Sequence, residues 1–259
     1  MYYYLSDSGG GEILPVVLIH GAGGNHLYWP AEVRRLPGFR VYAIDLPGHG
    51  KSPGRGQQTI DAYAERVLDW LEATGLFQAV FIGHSMGGAI ALTLAKKASE
   101  HVLGIGLVAS GARLRVHPTI LDNSAHRQSL PTTIDAIITA AFSPYAEPRL
   151  VALAKKRMSE VRSSVLHGDF LACNQFDMLE DLPAIKTPTL VLCGQEDQLT
   201  PLRYSQYLAD QMPNADLNII PKAGHMVMLE EPQLVANALR VFLSNLSFQP
   251  GHIQPSQKP

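Results

Sequence analysis

The sequence predicts an α/β protein, with a mostly parallel central sheet flanked by helices and an all-helical insertion. Three observations predict it. Short runs of Val, Ile and Leu with little polar alternation recur along the chain, as expected of strands covered on both faces. Longer amphipathic runs separate them, so strand and helix patterns alternate. The alternation lapses once, between about residues 112 and 185, where only helical patterns occur.

The strand-like runs are Leu14–His20, Phe39–Asp45, Ala79–Gly83, Gly104–Ala109, Thr189–Gly194 and Asp216–Ile220, with room for one further strand ahead of the first. Helix patterns fall at Thr59–Thr74, Met86–Ala98, Leu202–Gln211 and Pro232–Leu246. Gly75 follows the first as a stop signal, and Pro232 suits a first helical turn. Within the insertion, helices are expected over Thr132–Ala141, Glu147–Val165 and Asp169–Leu179, with Pro118, Pro131, Pro144, Pro148 and Pro183 as punctuation. The expected organisation is a core of residues 1–111 and 186–246, a helical cap of residues 112–185 over one sheet edge, and a disordered Pro- and Gln-rich tail over 247–259.

A chain of 259 residues that is 46% apolar and 17% charged can bury one substantial core. Its net charge of −2 gives no electrostatic reason to bind nucleic acid or an anionic membrane surface. No run approaches the roughly 18 apolar residues of a membrane span. The start, MYYYLSDSGGGE, lacks a basic segment followed by a long apolar one, so no signal peptide is expected and the cytoplasm is the expected compartment. Cys173 and Cys193 are far apart and lack metal-ligand spacing; Cys193, inside TLVLCG, reads as a core residue. Neither a cofactor nor a metal is expected.

The chemistry-bearing motif is GHSMG, Gly83 to Gly87, which places Ser85 between a strand pattern and a helix pattern. Ser85 there is either an N-cap or a nucleophile raised on a tight turn. In the second case residues two positions either side would collide, which accounts for Gly83 and Gly87. A serine nucleophile needs a neutral imidazole to take its proton and a carboxylate to set the imidazole tautomer. Downstream, GQEDQLTP follows a strand and offers Glu196 and Asp197, while PKAGH follows the last strand and offers His225. The order Ser85, Asp197, His225 suits this architecture. No carboxylate follows GIGLVAS until Asp122, which strengthens Asp197 as the acid. His20, His49, His84, His101, His117, His126, His167 and His252 read as structural or solvated. Oxyanion donors are expected at Met86 N–H and, in the glycine turn HGAGG, at Ala22 N–H. The GKS of DLPGHGKS is not a phosphate loop, because Asp45 stands where that motif needs glycine.

Taken in order, HGAGG, DLPGHGKS, GHSMGG, GQEDQLTP and AGH resemble the α/β-hydrolase fold superfamily, in its helical-cap branch, over nearly the whole chain. The short N-terminus and HGAGGN also resemble pimeloyl-acyl-carrier-protein methyl ester esterases, although their serine motif usually differs. The resemblance implies a catalytic triad of Ser85, Asp197 and His225, oxyanion positions at Ala22 and Met86, and a carboxylesterase acting on a small-molecule ester. Carbon–carbon hydrolases, thioesterases and perhydrolases use the same triad, and ligand receptors share the fold. The cap's apolar residues, among them Ile134, Ile137, Ile138, Phe142, Leu150, Leu153, Phe170, Leu171, Phe176 and Met178, imply a largely apolar substrate. Lys155, Lys156 and Arg157 read as a solvated helix face, with a carrier-protein dock as the alternative.

Overall fold

In the computed structural model, residues 1–7 and 13–246 are described; the tail expected to be disordered, 247–259, lies outside them. β1 (Tyr3–Asp7), β2 (Pro15–Ile19), α1 (Ala31–Arg34), β3 (Arg40–Ile44), α2 (Ile60–Ala73), β4 (Ala79–His84), α3 (Met86–Lys97) and β5 (Val102–Val108) follow in order. Four helices come next: α4 (Pro118–Ser124), α5 (Leu130–Ala141), α6 (Pro148–Ser159) and α7 (Ser163–Gln175). The chain then completes β6 (Thr189–Gly194), α8 (Leu202–Gln211), β7 (Ala215–Ile220), α9 (Val227–Glu230) and α10 (Pro232–Ser244).

The sheet runs β1-β3-β2-β4-β5-β6-β7. Among the described residues, only β1 is antiparallel, pairing with β3; the remaining pairs are parallel. Successive residues of a strand face opposite layers, which explains the missing polar alternation. Val16, Leu18, Val80 and Ile82 pack into one core, whereas Val17, Ile19 and Phe81 pack into the other. Each such side chain stabilises the fold by about 1.5–3 kcal/mol on leaving water. β1 and β7 are the edge strands, and their partly exposed residues follow from having one neighbour each.

Local signals hold where they were strong. Thr59 caps α2 by accepting from Ala62 N–H. At the other end Gly75 has φ +72°, and the N–H groups of Gly75 and Leu76 return to Glu72 and Leu71, closing a Schellman motif.

The insertion departs from expectation in three places. The helix expected over Glu147–Val165 is broken: α6 ends at Ser159 and α7 starts at Ser163. No proline or glycine marks the break. Arg162 holds it instead, extended at ψ 130° with its guanidinium on Gly48 and Gly54 carbonyls. The helix expected over Asp169–Leu179 belongs to α7 and stops at Gln175, because Asp177 pairs antiparallel with Arg113 across the stem of the insertion. α4, with Pro118 in its first turn, had no periodic signal in its seven residues.

Candidate active site

The glycine motif produces a strained serine. Ser85 sits at φ 53°, ψ −115° between β4 and α3, a region few non-glycine residues occupy, at a cost of about 1–3 kcal/mol. A Cβ on Gly83 would lie 2.0 Å from Gly87 O, and one on Gly87 would lie 2.3 Å from Ile19 O. Hydrogen bonds hold the turn: Ser85 N–H donates to Val108 O at 2.9 Å, and Ser110 Oγ donates to Ser85 O at 2.8 Å. The Ser85 side chain makes no capping bond to α3, which removes the N-cap reading.

Asp197 and His225 meet although 28 residues separate them. His225 Nδ1 donates to Asp197 Oδ2 at 2.9 Å, and both side chains are buried. The proton on Nδ1 leaves Nε2 as the basic nitrogen. Asp197 Oδ1 also accepts from Leu199 N–H and Thr200 N–H, and Oδ2 accepts from Thr200 Oγ1. Burial alone would raise its pKa, but the His225 ring and the hydrogen bonds from His225 and Thr200 outweigh it and hold the carboxyl below the usual range. Neither acid caps α8, whose N-cap is Pro201. Glu196, half-buried, has only its backbone N–H hydrogen-bonded among the described residues, on Ala223 O.

Three residues without a sequence signal build this pair. Thr200 contacts both partners, its Oγ1 lying 3.1 Å from His225 Nδ1. His84, read as structural or solvated, donates from Nε2 to His225 O at 3.0 Å, with its ring 4.8 Å from that of His225. Burial, with His225 beside it, takes the His84 pKa down to about 3, so the ring is neutral. Glu230 accepts from Gly224 N–H and Ser143 N–H, both at 2.9 Å, and so clasps the loop that carries His225.

The glycine turn after β2 is equally constrained. Gly24 N–H donates to Gly21 O at 3.0 Å and Gly23 has φ +63°, the pattern of a type II turn with Ala22 in its second position. His20 accepts from Leu46 N–H through Nε2, so its proton is on Nδ1, which donates to Gly21 O at 2.8 Å. Burial, with His49 nearby, pushes its pKa well below the usual value. In a trans peptide the N–H opposes the C=O, so anchoring Gly21 O directs Ala22 N–H away from His20. Among the described residues, no hydrogen bond takes up Ala22 N–H or Met86 N–H.

Ala22, Ser85 and His225 line one cavity of about 270 Å³. Its far wall comes from the insertion: Leu114, Val116, Ile120, Ile137, Phe170 and Cys173. Of the apolar insertion residues expected to matter, Ile137 and Phe170 line it, while Ile134, Ile138 and Phe142 pack in the core. His117, read as structural or solvated, also lines it. No hydrogen bond joins the Ser85 hydroxyl to the imidazole among the described residues; such contacts commonly tighten when substrate binds. A cavity of about 750 Å³ between β7 and α10 holds none of these groups. Both cysteines are buried free thiols. Among the described residues, no cluster of His, Cys, Asp or Glu is arranged to hold a metal, and no helix is long and apolar enough to cross a membrane.

The fold agrees with the comparisons. The chain is 30% identical over 258 residues to the dihydrolipoyllysine-residue acetyltransferase component of the acetoin cleaving system of Pseudomonas putida; the match covers 93% of this chain and 66% of that longer protein. It is 27% identical over 254 residues to a pimeloyl-[acyl-carrier protein] methyl ester esterase of Pectobacterium carotovorum, covering 93% and 97% of the two chains. A solved thermophilic esterase from Thermogutta terrifontis superposes with a TM-score of 0.84 at 26% identity, covering 94% of this chain and 92% of that one. Residues 16–238 match the model of the alpha/beta hydrolase family, and the chain belongs to that family.

Proposed function

We propose that this protein is a serine hydrolase that cleaves carboxylic esters of small, largely apolar substrates through an acyl-enzyme intermediate. The observation that carries the reading is the buried Asp197–His225 pair opening, through the imidazole, on the cavity that Ser85 and Ala22 also line. Ser85 Oγ attacks the ester carbonyl while His225 Nε2 takes its proton. Asp197 holds the ring in the Nδ1–H tautomer and stabilises the imidazolium that forms. Ala22 N–H and Met86 N–H receive the charge that develops on the carbonyl oxygen. His225 next protonates the departing alcohol, then activates water to release the acyl group.

Ester chemistry is supported by the esterases among the similar proteins, and the cavity's size and apolar wall support a small substrate. Residues 112–185 are the cap in this reading, with Ile120, Ile137 and Phe170 roofing the site. The test is a chain-length series of p-nitrophenyl esters, together with labelling by an alkyl phosphonate and peptide mapping. Sustained turnover of acetate or butyrate esters with label on Ser85, and no label on Ser85→Ala, is expected. Label without turnover would favour a receptor, and no label on Ser85 would end the proposal.

A further inference from the structure

The loop that carries His225 is seated on the insertion. Gly224 packs main chain to main chain against residues 141–143, where a Cβ on it would lie 2.7 Å from Ser143 N and 3.0 Å from Ala141 O. On the other side of His225, Met226 N–H donates to Ala141 O at 3.1 Å. Ala141 is the last residue of α5, so this bond takes up a carbonyl that the helix leaves without an intrahelical partner. Glu230 joins the two segments. Its Oε1 accepts from Gly224 N–H and its Oε2 from Ser143 N–H, so one carboxylate spans a main-chain group of the core and one of the insertion.

The core holds His225 itself, through Asp197 at the ring and His84 at the carbonyl. Its two chain neighbours rest on the insertion instead. The base therefore stands where core and insertion agree, and a displacement of about 1 Å at a reacting group costs up to about a hundredfold in rate. Apolar packing alone would tolerate some sliding of one segment over the other. A carboxylate shared by two main-chain N–H groups resists it, because both bonds are directional and charge-assisted. Ile137, one turn before Ala141 on α5, lies in the cavity wall. The helix that walls the cavity is thus the helix that seats the base.

We propose that Glu230 is a positioning residue for the reaction at Ser85: by clasping Gly224 N–H to Ser143 N–H it seats the His225 loop on the end of α5, so that the insertion sets where the base stands. The proposal rests on the serine-hydrolase reading, with His225 as the base. Glu230 does not line the cavity and acts through the loop.

The first variant is Glu230→Gln, which keeps the shape but offers one acceptor atom to two donors. Steady-state kinetics on p-nitrophenyl acetate and the rate of Ser85 labelling by an alkyl phosphonate are measured beside wild type, with the urea midpoint as the check on folding. The expected result is kcat and labelling rate lower by about tenfold or more, with KM within about twofold. The same substitution is then made in His225→Ala, whose residual p-nitrophenol release is read with enzyme in excess over ester. There it should change the release by less than about twofold, because the group through which Glu230 acts is gone. A loss as large in that background as in wild type would mean a general loosening of the site and would overturn the proposal. Glu230→Asp, one methylene too short to span both N–H groups, should show the same split between kcat and KM and decides the matter if Glu230→Gln does not fold. Folded variants with kcat and labelling within about twofold of wild type overturn the proposal and leave the serine-hydrolase reading standing. A wild type that neither turns over esters nor labels at Ser85 overturns both.

Discussion

Asp197 Oδ2 accepts from His225 Nδ1 at 2.9 Å, while among the described residues no hydrogen bond joins the neighbouring Glu196 carboxylate to the ring. Asp197→Asn would present an amide N–H₂ to Nδ1 and impose the wrong tautomer. Turnover of p-nitrophenyl acetate should fall by a factor on the order of 10⁴ with KM little changed. Glu196→Gln should stay within about twofold of wild type. Equal losses in the two variants would mean that the acid has been misassigned.

Proline at position 22 removes a main-chain N–H outright. The second position of a type II turn favours proline, so Ala22→Pro should fold. It should lose about 2.7–4 kcal/mol of transition-state stabilisation, a factor of about 10²–10³ in kcat. Wild-type turnover in the folded variant would remove Ala22 from the mechanism.

Gly83→Ala places a methyl group 2.0 Å from Gly87 O, where neither partner is a flexible side chain. The turn must open, and a loss of about 3 kcal/mol or more is expected by urea denaturation. A midpoint unchanged from wild type would contradict the close approach that the motif provides.

Acid should destabilise the fold through two buried neutral histidines. His84 has its pKa lowered to about 3, and that of His20 is also well below its usual value, whereas both protonate near pH 6.5 in the unfolded chain. The unfolded state therefore binds more protons in this window, and stability falls as pH drops from about 6.5 toward 3. For His84 the effect amounts to about 2–3 kcal/mol between pH 6.5 and 4.5. His49 acts in the opposite direction and in another window: with its pKa raised, its contribution is complete below pH 6.5 and is lost as pH rises through the folded value. Urea titrations at pH 7.0 and 4.5 measure the acid limb, and His84→Gln should flatten it. Equal stability at both pH values would show that these rings are not neutral in the fold.

Much of this was legible in residues close together in sequence. The strands of the core appear as unbroken apolar runs because both faces of the sheet are covered. The turn around Ser85 appears as two glycines because any Cβ there meets backbone. The insertion was harder: α4 is only seven residues long, and the break between α6 and α7 carries no glycine or proline. Arg162, within that break, holds it through partners outside the segment, the carbonyls of Gly48 and Gly54.

By itself, then, the sequence determined the alternating strands and helices, the strained serine turn, and the order in which serine, acid and base leave the sheet. These depend on periodicity and steric conflict over a few residues. Tertiary structure alone decided that Thr200 and His84 hold the imidazole of His225, and that Asp169 reaches Gly23 across 146 residues. Partners so far apart leave no local pattern, because what brings them together is the packing of whole elements, and packing places a side chain by everything that surrounds it.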